Sequence, residues 1–188
     1  MADKYFIIVV NQIGNGLSTS PHNIPTPNGM ALFPKVQIGD DVRAQHKLIT
    51  EMFDLDSLAL IVGGSMGAQQ TWEWAVRYPE MVKRAAAIAG TAKNTSHDFL
   101  FTKTLNEAIT SDPAWENGFY KKSNAVCEGL RRHADLWSVM GYSTEMFKQE
   151  LWRDIGFSSP EEFCEGFTQA YFAPMDPNNL LCLAWKWQ

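Results

Sequence analysis

Leu58-Ala59-Leu60-Ile61-Val62-Gly63-Gly64-Ser65-Met66-Gly67-Ala68-Gln69-Gln70-Thr71-Trp72-Glu73-Trp74-Ala75-Val76-Arg77-Tyr78-Pro79 carries a strand pattern, a glycine-rich turn and a helix pattern in direct succession. Its first five residues form an apolar run of strand length. A helix pattern follows Gly67 and stops at Tyr78-Pro79, because the residue before a proline is driven out of the helical region. Between the two, Gly63-Gly64-Ser65-Met66-Gly67 fits G-x-S-x-G in the strand-turn-helix setting that gives this pattern its chemical meaning. A serine on so sharp a turn is held in a strained conformation with its hydroxyl projecting above the sheet. Side chains at Gly63 or Gly67 are expected to collide with the adjoining strand or helix. The new helix aims its first N–H groups, and the positive end of its dipole, at the same point. Ser65 is therefore the candidate nucleophile toward an ester or thioester carbonyl. Met66 N–H is the candidate oxyanion donor, and Gly63, Gly64 and Gly67 are the turn glycines. The rival reading, an incidental serine in a nucleotide-binding turn, wants G-x-G-x-x-G, which this spacing does not supply.

Outward from this motif the chain changes texture near Gly90. Before it, short apolar strands alternate with helices: residues 58–62 and 85–89 read as strands, and Tyr5-Phe6-Ile7-Ile8-Val9-Val10 reads as a strand covered on both faces, central in a parallel sheet. Asp40-Asp41 can cap a helix that carries Val42, Gln45, Ile49, Met52 and Phe53 on one face. Residues 11–34, with Gly14, Gly16, Gly29 and four prolines, form a loop too punctuated for a regular element, of the kind that often sits over a site. After Gly90 only helix patterns and loops remain. One stripe joins Val126, Leu130, Leu136, Trp137 and Met140, and another joins Phe147, Leu151 and Ile155. Ser159-Pro160-Glu161-Glu162 is a capping box before Phe163, Phe167 and Tyr171, and Asp176-Pro177 opens a last helix. The expected architecture is α/β, with a core over residues 1–92 and a helical subdomain over 93–188.

With 188 residues, 45% of them apolar, the chain can bury a core of ordinary size. A net charge of −5 without a Lys/Arg block makes nucleic acid a poor partner. No run has the length of a membrane span, and the N-terminus lacks a signal-peptide pattern. Cys127, Cys164 and Cys182 are odd in number and widely spaced, so reduced thiols in a cytoplasmic protein are expected, with no metal site.

Val62-Gly63-Gly64-Ser65-Met66-Gly67-Ala68-Gln69-Gln70, with Glu73-Trp74-Ala75 and Tyr78-Pro79-Glu80 behind it, resembles the homoserine O-acetyltransferase family of α/β-hydrolase enzymes. The likeness extends back through Val42-Arg43-Ala44-Gln45 and Gly14-Asn15-Gly16-Leu17-Ser18-Thr19-Ser20-Pro21. Forward it runs through Thr110-Ser111-Asp112-Pro113-Ala114-Trp115 to Met175-Asp176-Pro177-Asn178-Asn179-Leu180-Leu181. By this resemblance the fold is a partial α/β-hydrolase parallel sheet, and the helical half is a lid that shields the serine from water. The resemblance implies transfer of an acyl group through an acyl-serine, as acyltransferase or esterase. Acetyl-CoA or another small-molecule acyl donor serves as co-substrate, a small-molecule acceptor receives the group, and no cofactor is bound. In the segment that resembles the family's Gly-Leu-x-x-x-Arg stretch the chain reads Gly129-Leu130-Arg131-Arg132-His133-Ala134-Asp135, with no arginine at the place where the acceptor-binding one is expected, so Arg131 and Arg132 are the candidates to substitute for it in binding substrate.

Triads of this fold run Ser, then Asp or Glu, then His, the last two on strands beyond the lid. Downstream of Ser65 the histidines are His97 and His133, both read as surface or capping residues. The acid and base are thus expected from outside these 188 residues, the chain being a truncated product or fragment, or a subunit completed by a homodimer or a complementing chain, and the isolated chain is expected to be nearly inert. The alternative is a catalytically silent scaffold that uses the pocket or a dimer surface for binding.

Overall fold

The computed structural model describes residues 3–188. Helix α1 (Ile38–Met52) has its N-cap at Gln37, three residues before the expected Asp40. The Gln37 N–H donates to Asp40 Oδ2 at 2.7 Å, and Asp41 turns inward. Strand β1 (Ile61–Gly64) leads through Ser65 into α2 (Met66–Arg77), and β2 (Ala85–Ile88) lies parallel to β1 with Ile61 opposite Ala85 and Gly64 opposite Ile88. A bridge between Leu58 and Val82 continues that alignment. Val42 and Ile49 of α1 pack against Trp74 of α2 and Met81, which fixes the two helices on one side of the strand pair. Ala89, at φ 50°, ends β2 one residue before its expected limit.

Residues 5–10 are not the central strand that their composition implies. They join no ladder among the described residues, Phe6 and Val9 are 71% and 87% exposed, and Ile8 alone of the six packs against the α1/α2 cluster. β-propensity measures fit between neighbouring strands, and the described sheet has two strands, neither of them beside this segment. Leu60, Val62 and Ile88 are exposed as well, so the strand pair is covered on its helix side only.

From Ser96 onward every regular element is helical. Helix α3 (Ser96–Thr110) is capped by Thr95 and Asp98; α4 (Cys127–Met140), α5 (Thr144–Lys148), α6 (Pro160–Phe163), α7 (Ala170–Phe172) and α8 (Pro177–Trp187) follow. Between α6 and α7 the backbone is π-helical over Cys164–Gln169. Ile109, Val126, Leu130, Ala134, Phe172 and Leu180 make a second core here. The stripe Phe147, Leu151, Ile155 is broken, because Glu150 at φ 51° stops α5 and a single 3-10 turn, Leu151–Arg153, follows. Of Phe163, Phe167 and Tyr171 only Phe163 is buried; the other two are exposed. Among the described residues no helix is long and apolar enough to cross a membrane.

A polar spine joins the two halves. Lys186 on α8 places Nζ 2.6 Å from Asp41 Oδ2, both side chains fully buried, and also donates to the Ile13 carbonyl. The Ile13 N–H returns to Asp41 Oδ1 at 2.8 Å. From Asp41 the chain of contacts runs through Gln70 to Gln45, whose Oε1 accepts the Trp74 indole N–H at 2.7 Å. The glycine-rich loop is held by this arrangement instead of roofing the site. Gly14 sits where a Cβ would lie 2.4 Å from Cys182 Sγ, and His22 meets Asn179 of α8.

Candidate active site

Ser65 has φ 53° and ψ −119°, a left-handed conformation that an L-residue adopts only under constraint. Two backbone bonds impose it: Ser65 N–H donates to the Ile88 carbonyl at 3.0 Å, and the Ser65 carbonyl accepts the Ala68 N–H at 2.9 Å. The turn is tight enough that a Cβ on Gly63 would stand 2.1 Å from the Gly67 carbonyl oxygen. Gly67 itself does not need to be glycine for space, since nothing lies within 4 Å of where its Cβ would be, and Gly64 has only one ordinary contact. The second tight glycine at the turn is Gly90, which the motif does not contain. A Cβ there would lie 2.4 Å from Ala68 Cβ and 2.6 Å from the Ser65 carbonyl, so Gly90 lets the first turn of α2 rest on the end of β2.

The Ser65 side chain is exposed, and its hydroxyl has no hydrogen-bond partner among the described residues. Met66 is the first residue of α2, so its N–H is among those that the helix leaves without an internal acceptor. Both residues open on a cavity of about 570 Å³. Its other walls come from the helical half: Leu105 of α3, His133 and Trp137 of α4, Phe167 and Thr168 of the π-helical stretch, and Leu183 and Trp187 of α8. The lining carries no Asp, Glu, Lys or Arg. Sequence reasoning found the turn but not this cavity, whose walls are set by packing between elements far apart in the chain.

His133 is not the surface histidine that its polarity suggests. It is 3% exposed, accepts the Trp137 indole N–H on Nε2 at 3.1 Å, and contacts the Leu105 carbonyl through Nδ1 at 3.2 Å. An indole can only donate, so Nε2 is the bare nitrogen and the proton sits on Nδ1. Burial brings its pKa down to about 4, against a smaller upward pull from the Leu105 carbonyl. Both nitrogens are thereby engaged, and His133 has no lone pair free to take a proton from Ser65. Its position was readable: three residues after Leu130 and four before Trp137, it falls on the buried face of α4. His97 is exposed in the first turn of α3, and His46 stacks on Tyr78 at 3.9 Å between ring centroids.

The two candidate arginines lie outside the cavity lining. Arg131 pairs with Glu128 and Asp135 on the exposed side of α4, which raises its pKa through the Glu128 contact first. Arg132 donates to the Ala108 carbonyl and to Ser111, closing the C-terminal end of α3.

The sequence matches the alpha/beta hydrolase fold family over residues 1–136. An ethyl acetate hydrolase of Pseudomonas veronii is 63% identical over 185 residues, which are 98% of this chain and 53% of that protein. A homoserine O-acetyltransferase of Solidesulfovibrio magneticus is 36% identical over 157 residues, 81% of this chain and 39% of that enzyme. Among solved structures, the acetyl esterase MekB superposes with a TM-score of 0.93 at 62% identity, covering 94% of this chain and 51% of that one. The chain thus spans about half the length of the relatives it matches, and the esterases match at higher identity than the acetyltransferase that the motif resembles. With its strained serine between a parallel strand and a helix, and with the match extending over most of its length, the chain belongs to the alpha/beta hydrolase fold family.

Proposed function

We propose that the protein to which this chain belongs is a serine esterase acting on short-chain acyl esters of uncharged alcohols. Ser65 Oγ attacks the ester carbonyl, and its proton passes to a base supplied from outside residues 3–188. The oxygen that becomes negative accepts the Met66 N–H, a contribution of roughly 3 kcal/mol per donor in comparable sites. Collapse of the adduct expels the alcohol with that proton and leaves an acyl-serine, which water opens by the same steps in reverse. The ester is the acyl donor, and water is the acceptor.

The observation that carries this reading is the cavity beside Ser65, which has no charged side chain in its lining while Arg131 and Arg132 are committed elsewhere. An amino-acid acceptor such as homoserine would bring a carboxylate and an ammonium into this space without a partner for either, and burying unpaired charge is strongly unfavourable. The names of the high-identity relatives point the same way. The test compares ethyl acetate hydrolysis with acetyl transfer from acetyl-CoA to homoserine, and maps labelling by a fluorophosphonate probe. Hydrolysis abolished by Ser65→Ala, with the probe on Ser65, is the expected result. Efficient CoA-dependent transfer to homoserine would replace the esterase reading, and unchanged hydrolysis after Ser65→Ala would end the nucleophile assignment.

A further inference from the structure

Thr50, Thr71, Thr102, Thr104 and Ser138 all lie in helices, and each donates its hydroxyl to the carbonyl four residues earlier, at 2.8 to 3.2 Å. Thr168 does not. It is 3% exposed, and its Oγ1 is shielded from solvent with no hydrogen-bond partner among the described residues. Thr168 lies in the π-helical stretch Cys164–Gln169, where Ala170 N–H donates to the Glu165 carbonyl five residues back, outside the regular α-helical pattern that the other five share. Such π-turns occur frequently at functional sites.

Thr168 also lines the cavity that holds Ser65 and Met66. A rotation of roughly 120° in χ1 carries its hydroxyl into the position now held by the methyl, and threonine in a helix uses two rotamers. At about 570 Å³ the cavity falls in the range that takes drug-sized molecules, well beyond the needs of an acetyl group. Given the esterase reading, on which this inference rests, the acyl half is small and the remaining volume belongs to the alcohol half. We propose that Thr168 is the hydrogen-bonding contact for an uncharged oxygen, an ether, hydroxyl or ketone, carried on the alcohol half of the ester. A hydroxyl both donates and accepts, so it serves any of the three, whereas a charged group would find no counter-ion in the lining.

Two acetates of equal length separate this idea from simple packing: 2-ethoxyethyl acetate, with an ether oxygen in the chain, and pentyl acetate, without it. The measurement is the ratio of their kcat/KM values in the complete protein, unchanged and as Thr168→Val and Thr168→Ser. Thr168→Val is expected to lower the ratio about fivefold, the factor that one neutral hydrogen bond carries, while Thr168→Ser keeps it. Both substrates read the same active molecules, so partial misfolding of a variant cancels. A ratio that stays within about twofold in Thr168→Val overturns the proposal. Binding of the product alcohols, followed by quenching of Trp137 and Trp187 in the cavity wall, reports the same contrast without turnover. Should Ser65 not be the nucleophile, the Ser65→Ala result fails while this binding contrast persists; should Thr168 not bind the oxygen, the contrast is absent while turnover continues.

Discussion

Replacing Asp41 by Asn keeps the shape of a fully buried side chain but removes the charge that Lys186 Nζ meets at 2.6 Å. Lys186 is then left inside the protein with the Ile13 carbonyl and a neutral amide for company. Removing one partner of a buried pair leaves an uncompensated charge, a loss of about 3–5 kcal/mol. Lys186→Met exposes the converse problem, a buried carboxylate still held by the Ile13 N–H and Gln70, and falls in the lower part of the same range. The double variant has no charge to bury. Exchange of a whole buried pair for uncharged groups is often neutral, so it is expected within about 1.5 kcal/mol of the unchanged protein. The cycle therefore yields a coupling of several kcal/mol, read as the shift in urea midpoint at constant slope. Added salt leaves the coupling in place, because ions do not reach a fully buried pair.

The same cycle separates wall from nucleophile. Lys186 holds down α8, and α8 contributes Leu180, Leu183, Ala184 and Trp187 to the cavity. Ser65 is held by Ile88 and Ala68 instead. The Asp41→Asn protein, measured below its unfolding transition, should raise KM for esters more than it lowers the rate of fluorophosphonate labelling at Ser65. Additive single-variant effects, or a loss below about 1 kcal/mol for Asp41→Asn, would show that the pair does not act as a unit and refute the reasoning.

Gly63→Ala and Gly67→Ala should act in opposite directions. The first drives a methyl into the Gly67 carbonyl, with a loss of about 2–3 kcal/mol and roughly 100-fold slower labelling of Ser65, whereas the second fills open space in α2 and stabilises by about 0.5–1 kcal/mol, both seen in denaturant titrations. His133 stays neutral in the fold down to about pH 4, while its ordinary pKa is 6.5. The stability from this difference is complete above pH 6.5, is lost as pH falls toward 4, and amounts to about 3 kcal/mol; His133→Gln should flatten the urea midpoint across that window. Arg131→Ala, on the exposed side of α4, should leave kcat/KM for ethyl acetate within about twofold and stability within about 1 kcal/mol, and a large rise in KM would place that guanidinium at the substrate after all.

What was legible from sequence follows from how local the forces are. The turn at Ser65 is written in neighbouring residues, since Gly63, Ser65 and Gly67 meet within one reversal, and its strained φ was expected before any coordinates. The cap of α8 by Asp176, which accepts the Asn179 N–H at 3.1 Å, is equally local and equally readable. Residues 5–10 show the opposite case. Their composition reports a preference for burial between strands, not the presence of those strands, and the same six side chains lie largely exposed when no ladder forms beside them.

The site follows the same division. Its candidate nucleophile sits on a reversal of five residues, but its cavity is walled by α3, α4, the π-helical stretch and α8, brought together by contacts such as Lys186 with Asp41 across 145 positions of sequence. No periodicity encodes such a meeting, which is why Gly90, Thr168 and Trp187 carried no signal while Ser65 did. The resemblance to acetyltransferases runs along most of the chain, as does the likeness to the esterases, so it does not by itself separate the two activities. Under the esterase proposal the acceptor is set by the wall, and among the described residues no charged side chain lines the cavity. A motif can therefore single out a candidate nucleophile without fixing the acceptor, because the residues that line the cavity lie outside it.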